Sequence, residues 1–105
     1  MIEMVSTQIK NLIPILRDCF KQQPIEKAWL FGSCSRGEEN EQSDVDILVE
    51  YDKDIKLSLL GISRIIVSIE KATGRKIDLV ENGRLLPFAV NSAENDKILI
   101  YERAS

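Results

Sequence analysis

Asp44 and Asp46 stand two residues apart at the head of a strongly apolar run, Asp44-Val45-Asp46-Ile47-Leu48-Val49-Glu50-Tyr51. If the run is a strand, side chains at i and i+2 leave the same face, so the two carboxylates converge. Like charges held that close repel. The company of Val45, Ile47 and Val49 argues for a central strand whose acids have a cation to hold, and magnesium, a hard ion that takes carboxylates together with phosphate oxygens, is the natural one. An exposed edge strand that carries acids for solubility is the competing account. Asp78, inside Lys76-Ile77-Asp78-Leu79-Val80, offers a third oxygen ligand, although an isolated acid in such a run is more often a strand-end residue facing water.

Upstream, Gly32-Ser33-Cys34-Ser35-Arg36-Gly37 follows the short apolar stretch Lys27-Ala28-Trp29-Leu30-Phe31. A strand that stops at glycine and continues into small hydroxyl residues has the outline of a phosphate cradle. Glycine admits close backbone approach, and the free amides of the next turn point at an anion. Arg36 could add a fixed positive fork to the same phosphates. Taken alone, this is an ordinary serine-capped glycine turn. Glycine-serine followed after ten residues by aspartate, any residue, aspartate is far rarer, arising by chance in about one chain in a thousand of this length.

These residues need elements to hold them. Val5, Ile9, Leu12, Leu16 and Cys19 or Phe20 recur at helical spacing, which predicts an amphipathic first helix, kinked or broken near Ile13 by Pro14. Residues 27–31 and 44–51 read as strands. Leu57 to Lys71 reads as a second helix, with Leu59, Ile62, Ile66 and Ile69 on its stripe beside Leu60 and Ile65, stopped by Gly74. Residues 76–80 give a third strand, followed by a turn at Glu81-Asn82-Gly83. Residues 84–95 are a weak helix candidate after Pro87, and Lys97 to Tyr101 is a terminal strand or the end of a packing segment. Leu85, Leu86, Phe88 and Val90 are expected in the core, as are Trp29 and Phe31. The order predicts an α/β (α+β) domain over 1–105, a small mixed β-sheet with helices mainly on one face.

Composition narrows the chemistry. The 105 residues contain no histidine, which excludes imidazole-based triads and histidine-ligated metals. Cys19 and Cys34 have no CxxC spacing, so both are expected as reduced thiols. Residues 37–60 hold eight acids and two bases, a local charge of −6 within a chain of net charge −3. Glu38, Glu39 and Glu41 read as exposed loop. Without a basic stripe, autonomous binding to long nucleic acid is not expected. No apolar run is long enough to span a bilayer and the N-terminus has no signal-peptide pattern, so a cytoplasmic protein is expected.

Phe31-Gly32-Ser33-Cys34-Ser35-Arg36-Gly37-Glu38 followed by Ser43-Asp44-Val45-Asp46-Ile47-Leu48-Val49 resembles the signature of the polymerase β nucleotidyltransferase superfamily. More narrowly it is similar to the minimal nucleotidyltransferases, prokaryotic proteins often encoded beside a HEPN-domain partner. The resemblance implies a polymerase β-like nucleotidyltransferase fold in which Gly32 and Ser33 hold the β and γ phosphates of ATP or another nucleoside triphosphate, Arg36 neutralises phosphate charge, and Asp44 and Asp46 bind two Mg2+ ions. Asp78 would be the third carboxylate, ligating one metal and orienting or deprotonating the attacking hydroxyl. A salt bridge from Arg36 to Glu38 or Glu39 is an alternative, and Cys34 falls at a variable position. Some minimal members are antitoxins that adenylylate a tyrosine of a HEPN ribonuclease toxin, and AMP transfer to such a partner is the expected function. The alternatives are an antitoxin that works by binding alone, and transfer to a small molecule or an RNA end.

Overall fold

The computed structural model describes residues 5–32, 35, 37, 44–82 and 97–104. Helix α1 spans Thr7–Lys21 and opens on Ser6, whose hydroxyl accepts the Ile9 amide at 3.2 Å. Of the kink or break expected near Ile13, the break does not occur: α1 is one helix with Pro14 inside it. The ring sits on the exposed face, where water can serve the carbonyl left without its amide partner, while Ile9, Ile13, Leu16 and Phe20 keep an unbroken buried stripe. Core packing therefore overrides the local preference.

Strands β1 (Ile25–Leu30), β2 (Val45–Tyr51), β3 (Ile77–Glu81) and β4 (Ile98–Glu102) form one sheet in the order β3-β2-β1-β4. β1 runs antiparallel to both β2 and β4, while β2 and β3 are parallel and are joined by helix α2, Leu59–Thr73. Parallel neighbours need such a crossover. The fold is thus the mixed α+β sheet expected, and the ambiguous segment 97–101 proves to be a strand, shifted by one residue. The helix candidate at 84–95, the Gly83 turn position and Leu85, Leu86, Phe88 and Val90 lie outside the described residues.

Ser58 caps α2 by accepting the Gly61 amide at 3.1 Å, and Gly74 ends it at φ 69°, a left-handed conformation that suits glycine. Both helices pack on one sheet face, burying Ala28, Leu30, Val45, Ile47, Val49, Ile77, Ile98 and Ile100 against Ile9, Leu16, Phe20, Ile65 and Ile69. Phe20 meets the ring of Tyr101 at 5.5 Å between centroids. Because strand side chains alternate, Trp29, Asp46, Leu48, Asp78 and Val80 belong to the opposite face. Trp29 and Phe31, expected in the core, are accordingly only half-buried, and the Lys97 ammonium lies 4.9 Å over the Trp29 ring.

Arg103 fastens the end of the sheet remote from Asp44. Its guanidinium donates to Asp52 Oδ2 at 3.0 Å and to the Gln23 carbonyl at 3.1 Å, and its amide donates to the Glu26 carbonyl. The Asp54 amide and then the Arg103 side chain hold the Asp52 carboxyl below its ordinary value of 3.8. A depressed carboxyl pKa contributes stability that is present above the unfolded value and lost as pH falls below it. Arg103→Ala is therefore expected to lower the melting temperature at neutral pH and to shrink the loss of stability between pH 4 and pH 2, as thermal denaturation across that range will show.

Candidate active site

β1 leads directly into the site. Beyond Leu30, the Phe31 amide donates to the Asp46 carbonyl at 3.1 Å, which carries the β1–β2 ladder one step further and sets Gly32 beside Asp46. Gly32 adopts φ 68°, and a Cβ built on it would stand 2.6 Å from Asp46 Oδ2. No other residue type fits there without moving the carboxylate. Glycine is thus required twice, by its backbone angle and by the acid lying against it.

The turn is held from below by a residue given no specific role in the sequence. Ser35 is buried, and both its amide, at 3.2 Å, and its hydroxyl, at 2.8 Å, donate to the Gly32 carbonyl. The signal was present as a serine three residues after the glycine, a spacing at which a hydroxyl reaches back to close a turn. Ser33 and Arg36, the other expected nucleotide contacts, lie outside the described residues, as do Cys34, Glu38, Glu39 and Glu41.

The strand register brings two of the expected carboxylates together. Asp46 on β2 is the direct partner of Asp78 on the adjacent parallel strand, following the pair Val45 and Ile77. Partners in a parallel ladder face the same way, and Ile77 and Leu79 point into the helical core, so Asp78 and Asp46 share the other face. Asp44, exposed at the mouth of β2, precedes Asp46 by two residues on that face. The start of β3 is fixed by two bonds. The Val45 amide donates to the Lys76 carbonyl at 2.8 Å, and the Ile77 amide donates to Glu70 Oε2, on the last turns of α2, at 3.0 Å. Glu70 therefore sets where Asp78 falls, a role that the sequence reading missed because the two lie in separate elements.

Among the described residues, no three His, Cys, Asp or Glu side chains close around a single point. Asp44, Asp46 and Asp78 therefore do not by themselves form a closed three-carboxylate site, and magnesium, which is commonly held by one or two carboxylates together with phosphate oxygens, does not need one. The donor set, all hard oxygen with a glycine-lined approach beside it, fits a metal-bound phosphate ester.

A nucleotidyltransferase domain family model matches residues 9–100. The chain belongs to the nucleotidyltransferase domain family. Among relatives of this nucleotidyltransferase are two Methanocaldococcus jannaschii proteins, each named provisionally as a protein adenylyltransferase. One is 38% identical over 99 residues, spanning 90% of this chain and 96% of the relative, and the other is 30% identical over 89 residues, spanning 85% and 89%. Solved structures share the fold. One described provisionally as a minimal nucleotidyltransferase superposes with TM-score 0.67 at 27% identity, covering 88% of this chain and 91% of the other. A toxin–antitoxin complex with AMP-PNP superposes with TM-score 0.66 at 21% identity, covering 93% and 75%. A Shewanella oneidensis complex, described as a tri-AMPylated HEPN toxin with its MNT antitoxin, superposes with TM-score 0.58 at 19% identity, covering 91% and 71%. Among the described residues of the nucleotidyltransferase, no helix is long and apolar enough to cross a membrane.

Proposed function

We propose that this nucleotidyltransferase is a single minimal domain acting in the cytoplasm, which moves AMP from ATP onto a tyrosine hydroxyl of a HEPN-domain ribonuclease toxin encoded nearby, and so serves as its antitoxin. The observation that carries the transferase chemistry is the pairing of Asp46 with Asp78, with the Gly32 backbone set against the Asp46 carboxylate. Gly32 and Ser33 would receive the β and γ phosphates, and Arg36 would offset their charge. Asp44, Asp46 and Asp78 would hold two magnesium ions, whose contribution when bound is to neutralise the triphosphate and make its α-phosphorus more electrophilic. Asp78, at the edge of the sheet, orients the incoming hydroxyl and accepts its proton. The hydroxyl oxygen forms a bond to the α-phosphorus, the bond to the bridging oxygen breaks, and pyrophosphate leaves with the electron pair. Positioning and fixed charge supply most of the acceleration.

The chain's own tyrosines favour an acceptor on another molecule. Tyr101 is buried in the core. Tyr51 is half-buried, and burial together with the charge of Glu81 pushes its hydroxyl up to about 12 from an ordinary 10.0, making it a poor nucleophile. The same shift makes a stability prediction. The folded chain keeps this proton at a pH where the unfolded chain has released it, so the contribution is intact below pH 10 and lost as pH rises towards 12. Tyr51→Phe is expected to flatten the alkaline limb of the stability curve measured by urea unfolding.

The deciding experiment incubates the purified chain with ATP and magnesium, with and without the HEPN-domain protein, and weighs that protein by intact mass spectrometry. Added mass of one or more AMP units, located on tyrosine and absent with Asp44→Ala, supports the proposal. A stable complex without added mass points to an antitoxin that works by binding alone. Turnover on RNA ends or small hydroxylated molecules without any protein partner points to a different acceptor.

A further inference from the structure

The outer face of α2 departs from what a solvated helix face requires. Leu59, Leu60 and Ile62 were expected on or beside one buried stripe, yet Leu59 is 84% exposed, Leu60 62% and Val67 47%, and Ile55 in the preceding loop is 45% exposed. Only Ile65 and Ile69 of the helix are fully buried. Leu60 and Val67 are seven residues apart, and Arg64 and Lys71 form a second pair with the same spacing, interleaved with the first. With Ser63 and Ser68 these residues line a shallow groove of 450 Å³. Apolar residues repeating every seven positions, with small residues beside them, form the surface along which a second helix can lie.

Charge selects the occupant. Arg64 and Lys71 are the charged residues among the described lining of this groove, neither makes an ion pair with a described residue, and none of the described lining residues is a carboxylate. A second copy of the chain docked through the same face would bring four cations together with no anion among them. A partner helix with apolar residues flanked by carboxylates would instead pair with both cations. α2 packs against β3, the edge strand that carries Asp78, but on the sheet face opposite that carboxylate, so a protein seated on the stripe reaches Asp78 only by extending round the β3 edge.

We infer that the exposed Leu60-Arg64-Val67-Lys71 stripe of α2 is the surface on which an acid-flanked amphipathic helix of the acceptor protein docks, holding that protein at the β3 edge while its hydroxyl reaches Asp78. The inference rests on the proposed transfer to a protein partner. The test measures affinity for the HEPN-domain protein by titration calorimetry, and its AMP labelling by intact mass, for the native chain and for Leu60→Glu/Val67→Glu and Arg64→Glu/Lys71→Glu. Native melting temperatures establish that both variants fold. Because the four side chains are exposed, neither variant should lose its fold. The expected result is binding at least 100-fold weaker and labelling lost in parallel in both variants. Labelling by the native chain with unchanged binding and labelling in the variants would overturn the docking surface and leave the transferase proposal standing. A native dimer that Leu60→Glu/Val67→Glu converts to monomer in sedimentation would assign the stripe to self-association and also overturn it. No labelling by the native chain would remove the proposed acceptor, and the inference with it.

Discussion

Asp46→Asn is expected to lower nucleotidyl transfer by about 10³-fold or more while the chain still folds. Asparagine preserves the shape of the side chain, so the contact with Gly32 and the strand register survive. It removes the negative charge that a divalent cation requires. Asp46 is also the carboxylate shared between its neighbours, two residues from Asp44 along β2 and opposite Asp78 across the ladder. Losing it therefore strikes the centre of the group. The substitution relieves repulsion between like charges, so without magnesium the variant should melt no lower than the native chain. Adding magnesium and a non-hydrolysable triphosphate should raise the melting temperature of the native chain and not of the variant, since a ligand stabilises only a fold that binds it. If Asp46→Asn and Asp44→Ala both unfold, the acids are structural and the assignment of a metal site is wrong.

Gly32→Ala should produce a combined defect. At φ 68° an alanine costs about 1–2 kcal/mol in backbone strain alone. Its methyl group would also stand 2.6 Å from Asp46 Oδ2, so either the turn or the carboxylate must shift. Transfer is expected to fall by about 10²-fold, the size of loss that a displacement of about 1 Å in a reacting group produces. Urea unfolding and steady-state labelling, measured on the same preparation, separate the two effects. Gly74→Ala is the control. It has the same strained angle, φ 69°, with nothing within 4 Å of the added methyl, so it should lose comparable stability and keep its activity.

Much of this site could be read from the sequence because its parts are local. Asp44 and Asp46 are two residues apart and the strand pattern around them is strong, so their common face follows from alternation alone. The resemblance to minimal nucleotidyltransferases was carried by the same short segments, and the family match bears it out. Asp78 was named as a third acid, but its pairing with Asp46 is a matter of register across a crossover of more than twenty residues, which periodicity cannot supply. Glu70 escaped for the same reason: a carboxylate near the end of a helix reads as a solvated charge until the strand it caps is in place. The break that was one of the two outcomes expected at Pro14 does not occur, because local propensity was weighed without the four buried side chains that keep α1 continuous. Leu59 and Leu60 were over-read. Helical spacing identifies apolar residues on a helix but not which of them the rest of the chain will cover.

The position of β4 has a consequence for biosynthesis. β1 lies inside the sheet only because Ile98–Glu102 pairs along its outer side; without β4 the residues from Lys27 to Leu30 would present an unpaired edge. On the ribosome α1, β1, β2, α2 and β3 emerge before β4, so among the described strands a three-stranded intermediate keeps that edge open until β4 leaves the exit tunnel. Such an edge is a template for pairing with another nascent chain. A message truncated before codon 97 should accordingly yield aggregates rather than a weakened enzyme.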